Sequence, residues 1–358
     1  MKVSTLNLFL ILLALVFLSV FAYFYPIQSQ GHYVANVGSF DTKGVVQFVP
    51  ELLSWTEVTP NASWQSRDSA VSFIFNNKMW TMGGLDGSKN IQGNNYIPYW
   101  EAPHFNDIWT SEDGINWLMV AEQAKWPPRR SMSVVSLNNK LFMFGGWSPV
   151  GGYTSDIWES GDGVLLAQAS PKFSWQPREG QTAIIFKEKI WFMGGVNYDE
   201  RKVRNDVWSS SDGVSWDEVM PEAPWSPRWD HAITVFKDRI FLSGGMDLSG
   251  KTFNDVWVSS DGVHWEEMAT PPWQGRQGHS LVVFHDKLWV IGRLNDEENG
   301  GANDIWFSDD GVIWKKTNMD PEWIGREDHS VLVWRDKIFV FGGMGSDWQW
   351  KNDVWASN

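Results

Sequence analysis

The 358-residue sequence contains no cysteine, which excludes disulfide bonds and thiolate metal sites. It also has no excess of positive charge. The formal net charge is -14, whereas a protein that binds nucleic acid needs a basic surface to meet the phosphates. An H-E-x-x-H zinc motif, a glycine-rich phosphate loop and a nucleophile elbow are all missing. We therefore expect no nucleic-acid partner, no metal and no cofactor. The acidic loop 294–304 lacks EF-hand spacing and is interpreted as solvated.

Long apolar runs are absent except at the N-terminus, where Leu8 to Tyr25 carries no charge. This length favours a membrane-spanning anchor over a signal peptide. Lys2 precedes the run and no Lys or Arg follows before Lys43, which predicts an extracytoplasmic location for the rest. The alternative is a cleaved signal that leaves a secreted or periplasmic protein. We predict an anchor or signal segment at 1–25, a linker at 26–50 and one domain at 51–358.

The sequence is rich in repeated phrases. "NDVWSSSDGVSWDEV" at 205 returns as "NDVWVSSDGVHWEEM" at 254 and "NDIWFSDDGVIWKKT" at 303. The copies open with W-x-x-R, continue with two apolar runs that end in Gly-Gly, and close with N-D-[VI]-W and S-x-D-G. The fifth copy has Gly292-Arg293 in place of Gly-Gly, the second has Ser155 in place of the asparagine, and the sixth ends before S-x-D-G. In "WPPRR" the arginine of the motif is either Arg129 or Arg130. Six copies recur about every 50 residues, which predicts one repeat domain rather than several unrelated ones.

Each copy holds four short runs rich in Val, Ile, Phe and Trp, and turn residues separate them. This composition is typical of strands, and the Asp-Gly pairs are typical of hairpin turns because glycine accepts a positive φ. Four strands per unit at this period predict a β-propeller. The fold expected is all-β, with six four-stranded antiparallel blades preceded by an N-terminal hydrophobic helix. The recurrent tryptophans are interpreted as packing between the blades.

The double glycine, the spaced tryptophans and the opening arginine resemble kelch repeats, as in the central domain of galactose oxidase, over residues 51–358. Two details depart from that pattern. Trp replaces the usual Tyr in N-D-V-W, and the S-x-D-G-x-x-W turn is one residue shorter than the sialidase Asp-box. The copper centre of galactose oxidase requires a Cys-linked Tyr, which this chain does not contain. The resemblance implies a platform for interactions.

The sixth copy ends at "NDVWASN", before its fourth strand, while "LSWTEV" at 53–58 matches "VSWDEV" at 214–219. We therefore predict that the segment around Trp55 supplies the outer strand of the last blade. This pairing would join the two ends of the domain and cover an exposed strand edge.

Alternating strand direction places the start of every inner strand and every loop between second and third strands on one face. The aromatic residues outside the repeat positions all fall there, and they are Tyr96, Tyr99, Trp100, Trp147, Tyr153, Tyr198, Trp229, Trp348 and Trp350. Flat rings bind sugar faces, apolar groups and cations. These residues are predicted to bind a glycan or a protein segment, and the alternative is packing within the loops.

The same face is predicted to carry one arginine per blade, and these candidate binding residues are Arg67, Arg130, Arg178, Arg228, Arg276 and Arg326. Arginine binds carboxylates through two parallel hydrogen bonds. The other interpretation is structural, with each arginine bracing neighbouring blades, since the residue recurs in every copy. His231, His279 and His329 recur at one position and are interpreted as packing residues rather than catalytic ones.

The sequence is compatible with three functions. The first is a membrane-tethered or secreted binding module, and another is an assembly scaffold for an envelope complex. The remaining one is an enzyme acting on a sugar acid, which at the level of fold is similar to exported kelch mutarotases and Asp-box sialidases. In that alternative Arg178, Arg228 and Arg276 would hold the carboxylate, and the proton-transfer residues would be Glu179, Asp230 or Asp328.

Overall fold

The computed structural model describes residues 48–88, 99–170, 174–293 and 303–358. These residues form six antiparallel four-stranded sheets, the blades of a β-propeller, as expected. The anchor or signal segment 1–25, with its expected helix, lies outside the described residues, as do residues 26–47 of the linker. In the part of the chain that the structure describes, no helix is long and apolar enough to cross a membrane.

The strands, numbered in chain order, occupy four positions in each blade. The inner strands of blades 1 to 6 are β2 (Val71–Phe75), β6 (Ser133–Leu137), β12 (Thr182–Phe186), β18 (Ala232–Phe236), β22 (Ser280–Phe284) and β27 (Ser330–Trp334). The second strands are β3 (Lys78–Met82), β7 (Lys140–Phe144), β13 (Lys189–Met193), β19 (Arg239–Ser243), β23 (Lys287–Ile291) and β28 (Lys337–Phe341). The third strands are β4 (Ile108–Ser111), β10 (Ile157–Ser160), β16 (Val207–Ser210), β20 (Val256–Ser259), β24 (Ile305–Ser308) and β30 (Val354–Ser357).

The outer strands come from two parts of the chain. Blades 1 to 5 use β5 (Leu118–Ala121), β11 (Ala167–Ser170), β17 (Asp217–Met220), β21 (Trp265–Glu267) and β25 (Trp314–Lys316). Blade 6 uses β1 (Trp55–Thr59), which pairs antiparallel with β30, so the predicted closure by the N-terminal strand is confirmed. Short paired strands lie in the connections, and they are β8 (Trp147–Ser148), β9 (Gly152–Tyr153), β14 (Val196–Asn197), β15 (Lys202–Val203), β26 (Arg326–Glu327) and β29 (Met344–Gly345). Within the described residues, 3₁₀ turns cover Pro50–Leu52 and Tyr99–Glu101.

The two faces of the disc differ in the length of their connections. The inner and second strands of every blade are joined by two-residue turns on one face, which we call the opposite face. In blade 1 this turn is Asn76-Asn77, and both residues have a positive φ, as a type I′ hairpin requires. The inner strands begin on the other face, which we call the mouth face. The long connections between second and third strands lie there as well.

The N-D-[VI]-W phrase ties one blade together and attaches it to the next. In blade 4 the carboxylate of Asp255 accepts two hydrogen bonds from Arg228, at 2.6 and 2.7 Å, and one from the indole of Trp257. In blade 3 the preceding residue, Asn205, donates to the backbone oxygens of Ala223 and Trp225 on the way into blade 4. In blade 2, where Ser155 replaces the asparagine, the Arg–Asp and Trp–Asp bonds are retained.

The tryptophans fill the space between and within blades. The Trp of W-x-x-R is buried and meets the Trp of the outer strand edge to face, with ring centroids 4.5 Å apart for Trp225 and Trp265. In blade 6, Trp55 of the closing strand takes this place against Trp323, at 4.6 Å. In blade 2, Leu166 packs against Trp126 instead. Large buried rings at equivalent positions confirm that the repeated tryptophans are packing residues.

The double glycine marks a close approach of backbones. At Gly84, φ is +89°, and a Cβ would collide with the backbone oxygen of Asp68. Its N–H donates to the carbonyl of Arg129 in the next blade at 2.9 Å. Any other side chain would disturb the contact between neighbouring blades.

Candidate functional site

The residue that follows the repeat arginine has a fixed backbone at the mouth face. In five blades it forms a β-bridge with the residue that follows Gly-Gly, and in blade 1 Asp68 and Leu85 exchange hydrogen bonds of 3.1 and 3.2 Å. The six residues at this position, which we call the outer ring, are Asp68, Arg130, Glu179, Trp229, Gln277 and Glu327. The bridges give the differing side chains of this ring a common position around the axis.

The next residue in each blade closes a circle of backbone hydrogen bonds around the axis. Its N–H donates to the carbonyl of the equivalent residue in the preceding blade, through six bonds of 2.9 to 3.3 Å. We call these residues the inner ring, and they are Ser69, Ser131, Gly180, Asp230, Gly278 and Asp328. All six have φ between 49° and 65°, the left-handed region that is costly for residues other than glycine. The circle of bonds holds them there.

A cavity of about 650 Å³ opens on the mouth face, and we call it the mouth cavity. All six outer-ring residues line it, together with four residues of the inner ring and several from the loops. Those four inner-ring residues also line a narrower central channel of about 280 Å³. The inner ring thus lies between the two spaces. The volume of the mouth cavity is within the range of small-molecule and peptide-side-chain pockets.

Seven of the nine loop aromatics predicted from the sequence come together here. The residues that line the mouth cavity are Tyr99, Trp100, Trp147, Tyr153, Tyr198, Trp229 and Trp348. Trp100 and Trp348 are 61% and 46% exposed, so their rings are available to a ligand. Tyr96 lies outside the described residues.

Trp350 does not belong with them. The structure places it in a small core, where it is 7% exposed and packs with Leu85, Ala102 and Met344. The sequence interpretation of Trp350 as a binding residue is therefore corrected, because its ring is used to anchor the loops of blades 1 and 6.

Arg130 is the predicted arginine that lines the mouth cavity. It donates to both carboxylate oxygens of Glu179 in the next blade, at 2.8 and 3.2 Å, and its guanidinium lies 4.8 Å from the ring centroid of Trp147. Burial opposes its charge, but attraction to Glu179 and Asp68 outweighs burial and raises the pKa of Arg130. The positive charge of Arg130 is therefore already neutralised by Glu179.

The other five predicted arginines are elsewhere. They are at most 2% exposed, and each binds the aspartate of N-D-[VI]-W in its own blade. These arginines are Arg67, Arg178, Arg228, Arg276 and Arg326. In blade 2 the same position is filled by Arg129, paired with Asp156 at 2.7 Å, which resolves the ambiguity of "WPPRR". The brace runs within a blade, not between neighbouring blades as the structural alternative supposed.

The mouth cavity is rich in carboxyl groups. Those among its described lining residues are Asp68, Glu179, Asp199, Asp230, Glu327 and Asp328. Burial, followed by repulsion from Asp328, raises the pKa of Asp68 and of Asp230 well above the usual range. Burial is also the main cause that raises the pKa of Asp328 to about 6. Holding these carboxyl groups buried and close together therefore disfavours their ionised forms.

The phenols of the cavity respond to the same surroundings. Burial, followed by the charge of Glu179, raises the pKa of Tyr153 to about 12. Burial and the charge of Asp230 raise the pKa of Tyr198 further. Both phenols therefore stay protonated at neutral pH and can donate hydrogen bonds.

The three recurrent histidines line the central channel below the inner ring. The ring nitrogen Nε2 of His231 lies 2.7 Å from the hydroxyl of Thr182, and that of His279 lies 2.8 Å from Ser243. Burial lowers the pKa of His231 and of His329 to about 3, so both are neutral at ordinary pH. These positions agree with the interpretation of the histidines as packing residues.

The carboxyl groups assigned to the enzymatic alternative, Glu179, Asp230 and Asp328, do line the mouth cavity. The arginines assigned to hold a substrate carboxylate do not, because each is buried against its aspartate. Across the described residues, no group of three or more His, Asp or Glu side chains is arranged to hold a metal ion.

Sequence reasoning missed the inner-ring serines, Ser69 and Ser131, as well as Asp199. A signal for the rings was present nevertheless. The two residues after each repeat arginine differ among copies that otherwise agree, and positions that vary on a constant framework are where a repeat protein carries its specificity.

Comparisons with known proteins agree with this architecture. A sequence family described as the KLHDC2/KLHL20/DRC7 Kelch-repeats domain matches residues 31–245 and 109–292. No curated protein matches the sequence. Among solved structures, one described as "Structure of YjhT" is 15% identical, with a TM-score of 0.65, and the match covers 83% of this chain and 96% of that one. At this identity the likeness concerns the fold alone.

The chain is therefore a member of the kelch-repeat propeller family. Kelch propellers are in general interaction modules, and the differing residues of the mouth cavity are where this member departs from its own repeats.

Proposed function

We propose that this protein is an extracytoplasmic interaction module that holds a protein segment or a glycan in the mouth cavity. The observation that carries the proposal is the gathering of seven loop aromatics and a set of carboxyl groups from different blades around one cavity. Packing does not require them, since the blades are already held by the repeated Arg–Asp braces and buried tryptophans.

The exposure of the rings supports a binding role. Trp100 and Trp348 come from the loops of blades 1 and 6, and each leaves about half or more of its surface in solvent. Ordering a large ring at a loop without burying it gains little stability, whereas a ligand that covers it gains the free energy of burial. Rings of this kind stack on sugars and on peptide side chains alike.

The described residues begin on the opposite face of the domain. The chain enters β1 from the opposite face, where Phe48 stacks on His285 of the blade 5 turn with ring centroids 4.2 Å apart. We propose that the apolar run from Leu8 to Tyr25 anchors the protein in a membrane.

A retention assay tests the proposal. The full-length chain, immobilised, is presented with an array of glycans and a library of short peptides. The double variant Trp100→Ala, Trp348→Ala should lose about tenfold or more of the retention of any bound ligand, because two stacking contacts are removed. The matched control is Leu165→Ala, Ile313→Ala, which removes two exposed apolar side chains from the opposite face.

The two double variants should have melting temperatures close to that of the unaltered chain, so that loss of binding is not loss of fold. Equal retention by the mouth variant and the unaltered chain would refute binding at this cavity. Loss of retention in the Leu165→Ala, Ile313→Ala control alone would move the site to the opposite face.

A further inference from the structure

We propose that the mouth cavity selects an organic cation, the ammonium or guanidinium group of a lysine or arginine side chain in a protein segment, held by Asp68, Asp230 and Asp328 beside the loop aromatics. This inference rests on the proposed function, since it names the ligand of the same cavity.

The charge of the cavity is unbalanced. Six carboxyl groups line it, and Arg130 is the single lysine or arginine among its described lining residues. Arg130 is already bound through two hydrogen bonds to Glu179, between blades 2 and 3. Within the described residues, no ion pair involves Asp68, Asp230 or Asp328, which belong to blades 1, 4 and 6. A bound cation would favour the ionised forms of these three carboxyl groups, which burial and mutual repulsion disfavour in its absence.

Asp68 gives an independent indication that a ligand donor belongs here. Its side chain lines the mouth cavity although the residue is only 4% exposed. The side chains of Trp350 and Ser69 help to stabilise the ionised form of this carboxyl group, but no group among the described residues meets hydrogen-bonding geometry at its Oδ1. Buried polar atoms are nearly always satisfied, so an acceptor at the wall of a cavity with capacity left is suited to a donor that arrives with a ligand.

The fold holds these carboxyl groups in place despite their mutual repulsion. Asp230 and Asp328 are in the inner ring, where their backbones have φ of 49° and 51° and are held by the circle of hydrogen bonds. Serine or glycine fills the same position in the other four blades. Strained carboxylates that do not help packing are typical of a recognition site.

The aromatic rings complete the chemistry of a cation site. Trp229 precedes Asp230 directly and meets Tyr198 edge to face, with ring centroids 5.7 Å apart. On the far side of the cavity, Arg130 already lies over the rings of Trp147 and Tyr99, at 4.8 and 5.8 Å. Faces of aromatic rings attract cations most strongly where water is displaced. Neutral sugars would use the rings but would leave the carboxylates unbalanced.

The test compares three peptides that differ at one side chain, which is lysine, acetyl-lysine or norleucine in an otherwise uncharged sequence. Isothermal titration of the full-length chain at pH 7.5 should show the lysine peptide binding at least about tenfold more tightly than the other two. The variants Asp230→Asn and Asp328→Asn should remove this preference. Asp286→Asn, on the opposite face, is the matched control and should retain it.

A comparison with a free amine identifies the source of the cation, and the pH dependence of binding tests the role of the carboxyl groups. n-Pentylamine, which carries one ammonium group without a peptide, should bind more weakly than the lysine peptide. If n-pentylamine binds as tightly, the ligand is a small amine and the assignment to a protein segment is overturned. Binding of the lysine peptide should also weaken about tenfold between pH 7.5 and pH 5, as the carboxyl groups take up protons.

Failure of this inference is distinct from failure of the proposed function. If the three peptides bind equally, or if a neutral glycan is retained through Trp100 and Trp348 while Asp230→Asn changes nothing, the cavity binds a ligand but does not select a cation. If no peptide, amine or glycan is retained at all, both proposals are wrong.

Discussion

The guanidinium group of Arg130 donates to both carboxylate oxygens of Glu179, at 2.8 and 3.2 Å, across the junction between blades 2 and 3. Glu179 thereby neutralises the positive charge of Arg130, which is the single arginine in the described wall of the mouth cavity. The carboxyl groups of blades 1, 4 and 6 consequently have no matching cation there. The mouth cavity therefore has more acidic than basic side chains. The repeated Arg–Asp braces inside the blades differ from it, because there each arginine is paired with one aspartate.

The first prediction concerns stability as a function of pH. Burial raises the pKa of Asp328 to about 6, so folding is disfavoured as this group ionises. The stability contributed by its protonated form is fully present below about pH 4, is lost as pH rises through about 6, and does not return above. Asp328→Asn should therefore stabilise the protein by roughly 1–3 kcal/mol at pH 8 and by much less at pH 4.

Urea unfolding of the full-length chain at the two pH values measures this difference. Asp286→Asn serves as the control because Asp286 is exposed on the opposite face. If Asp328→Asn is less stable than the unaltered chain at pH 8, the ionised carboxylate of Asp328 does not destabilise the fold, and the prediction is wrong.

The second prediction concerns the buried braces. Arg228 is fully buried and binds both oxygens of Asp255. Arg228→Met leaves Asp255 without its partner, and we expect a loss of about 3–5 kcal/mol in the free energy of unfolding. Lys189→Met, which removes an exposed charge, should change stability by less than about 0.5 kcal/mol. Similar values for the two variants would show that the brace is dispensable.

The third prediction concerns closure of the ring. β1 provides the outer strand of blade 6, and Trp55 packs on Trp323. Deletion of residues 51–60 should sharply lower the melting temperature, because it exposes both β30 and the ring of Trp323. The milder Trp55→Ala should cost about 2–3 kcal/mol, less than a fully buried tryptophan would. Thr56→Ala on the same strand is the control, and an unchanged melting temperature after the deletion would refute closure.

The fourth prediction separates two tryptophans that are two residues apart. Trp350 is buried in a small core, whereas Trp348 is 46% exposed beside the cavity. Trp350→Ala should destabilise the fold by roughly 3–5 kcal/mol, and Trp348→Ala by under about 1 kcal/mol. Thermal unfolding of the two variants measures both losses of stability. A larger loss for Trp348→Ala than for Trp350→Ala would mean that Trp348 is the packing residue and Trp350 the exposed one.

The same pair shows how far the sequence could be interpreted. The blades, their four strands and the closing strand were predictable, because packing and hydrogen bonding impose the same residues in every copy. Trp350 could not be distinguished from Trp348, since both lie in a loop with no equivalent elsewhere and only tertiary packing assigns their burial. Arg129 and Arg130 posed a similar problem, as adjacent arginines differ by which one reaches Asp156.

The circle of hydrogen bonds in the inner ring lay beyond sequence reasoning for another reason. Its members are Ser, Gly and Asp in different blades, and they share a backbone conformation rather than a side chain. A positive φ leaves a reliable trace in sequence only where glycine is used. Asp230 and Asp328 were identified as candidates from the sequence, but their place in this circle of hydrogen bonds came from the structure.

The most direct test of the account is a crystal structure of the full-length chain with the lysine peptide bound. We predict that the lysine ammonium lies within hydrogen-bonding distance of the carboxyl groups of Asp230 or Asp328 and that Trp100 or Trp348 covers the peptide. A peptide found on the opposite face, or one whose lysine extends into solvent away from the cavity, would contradict it.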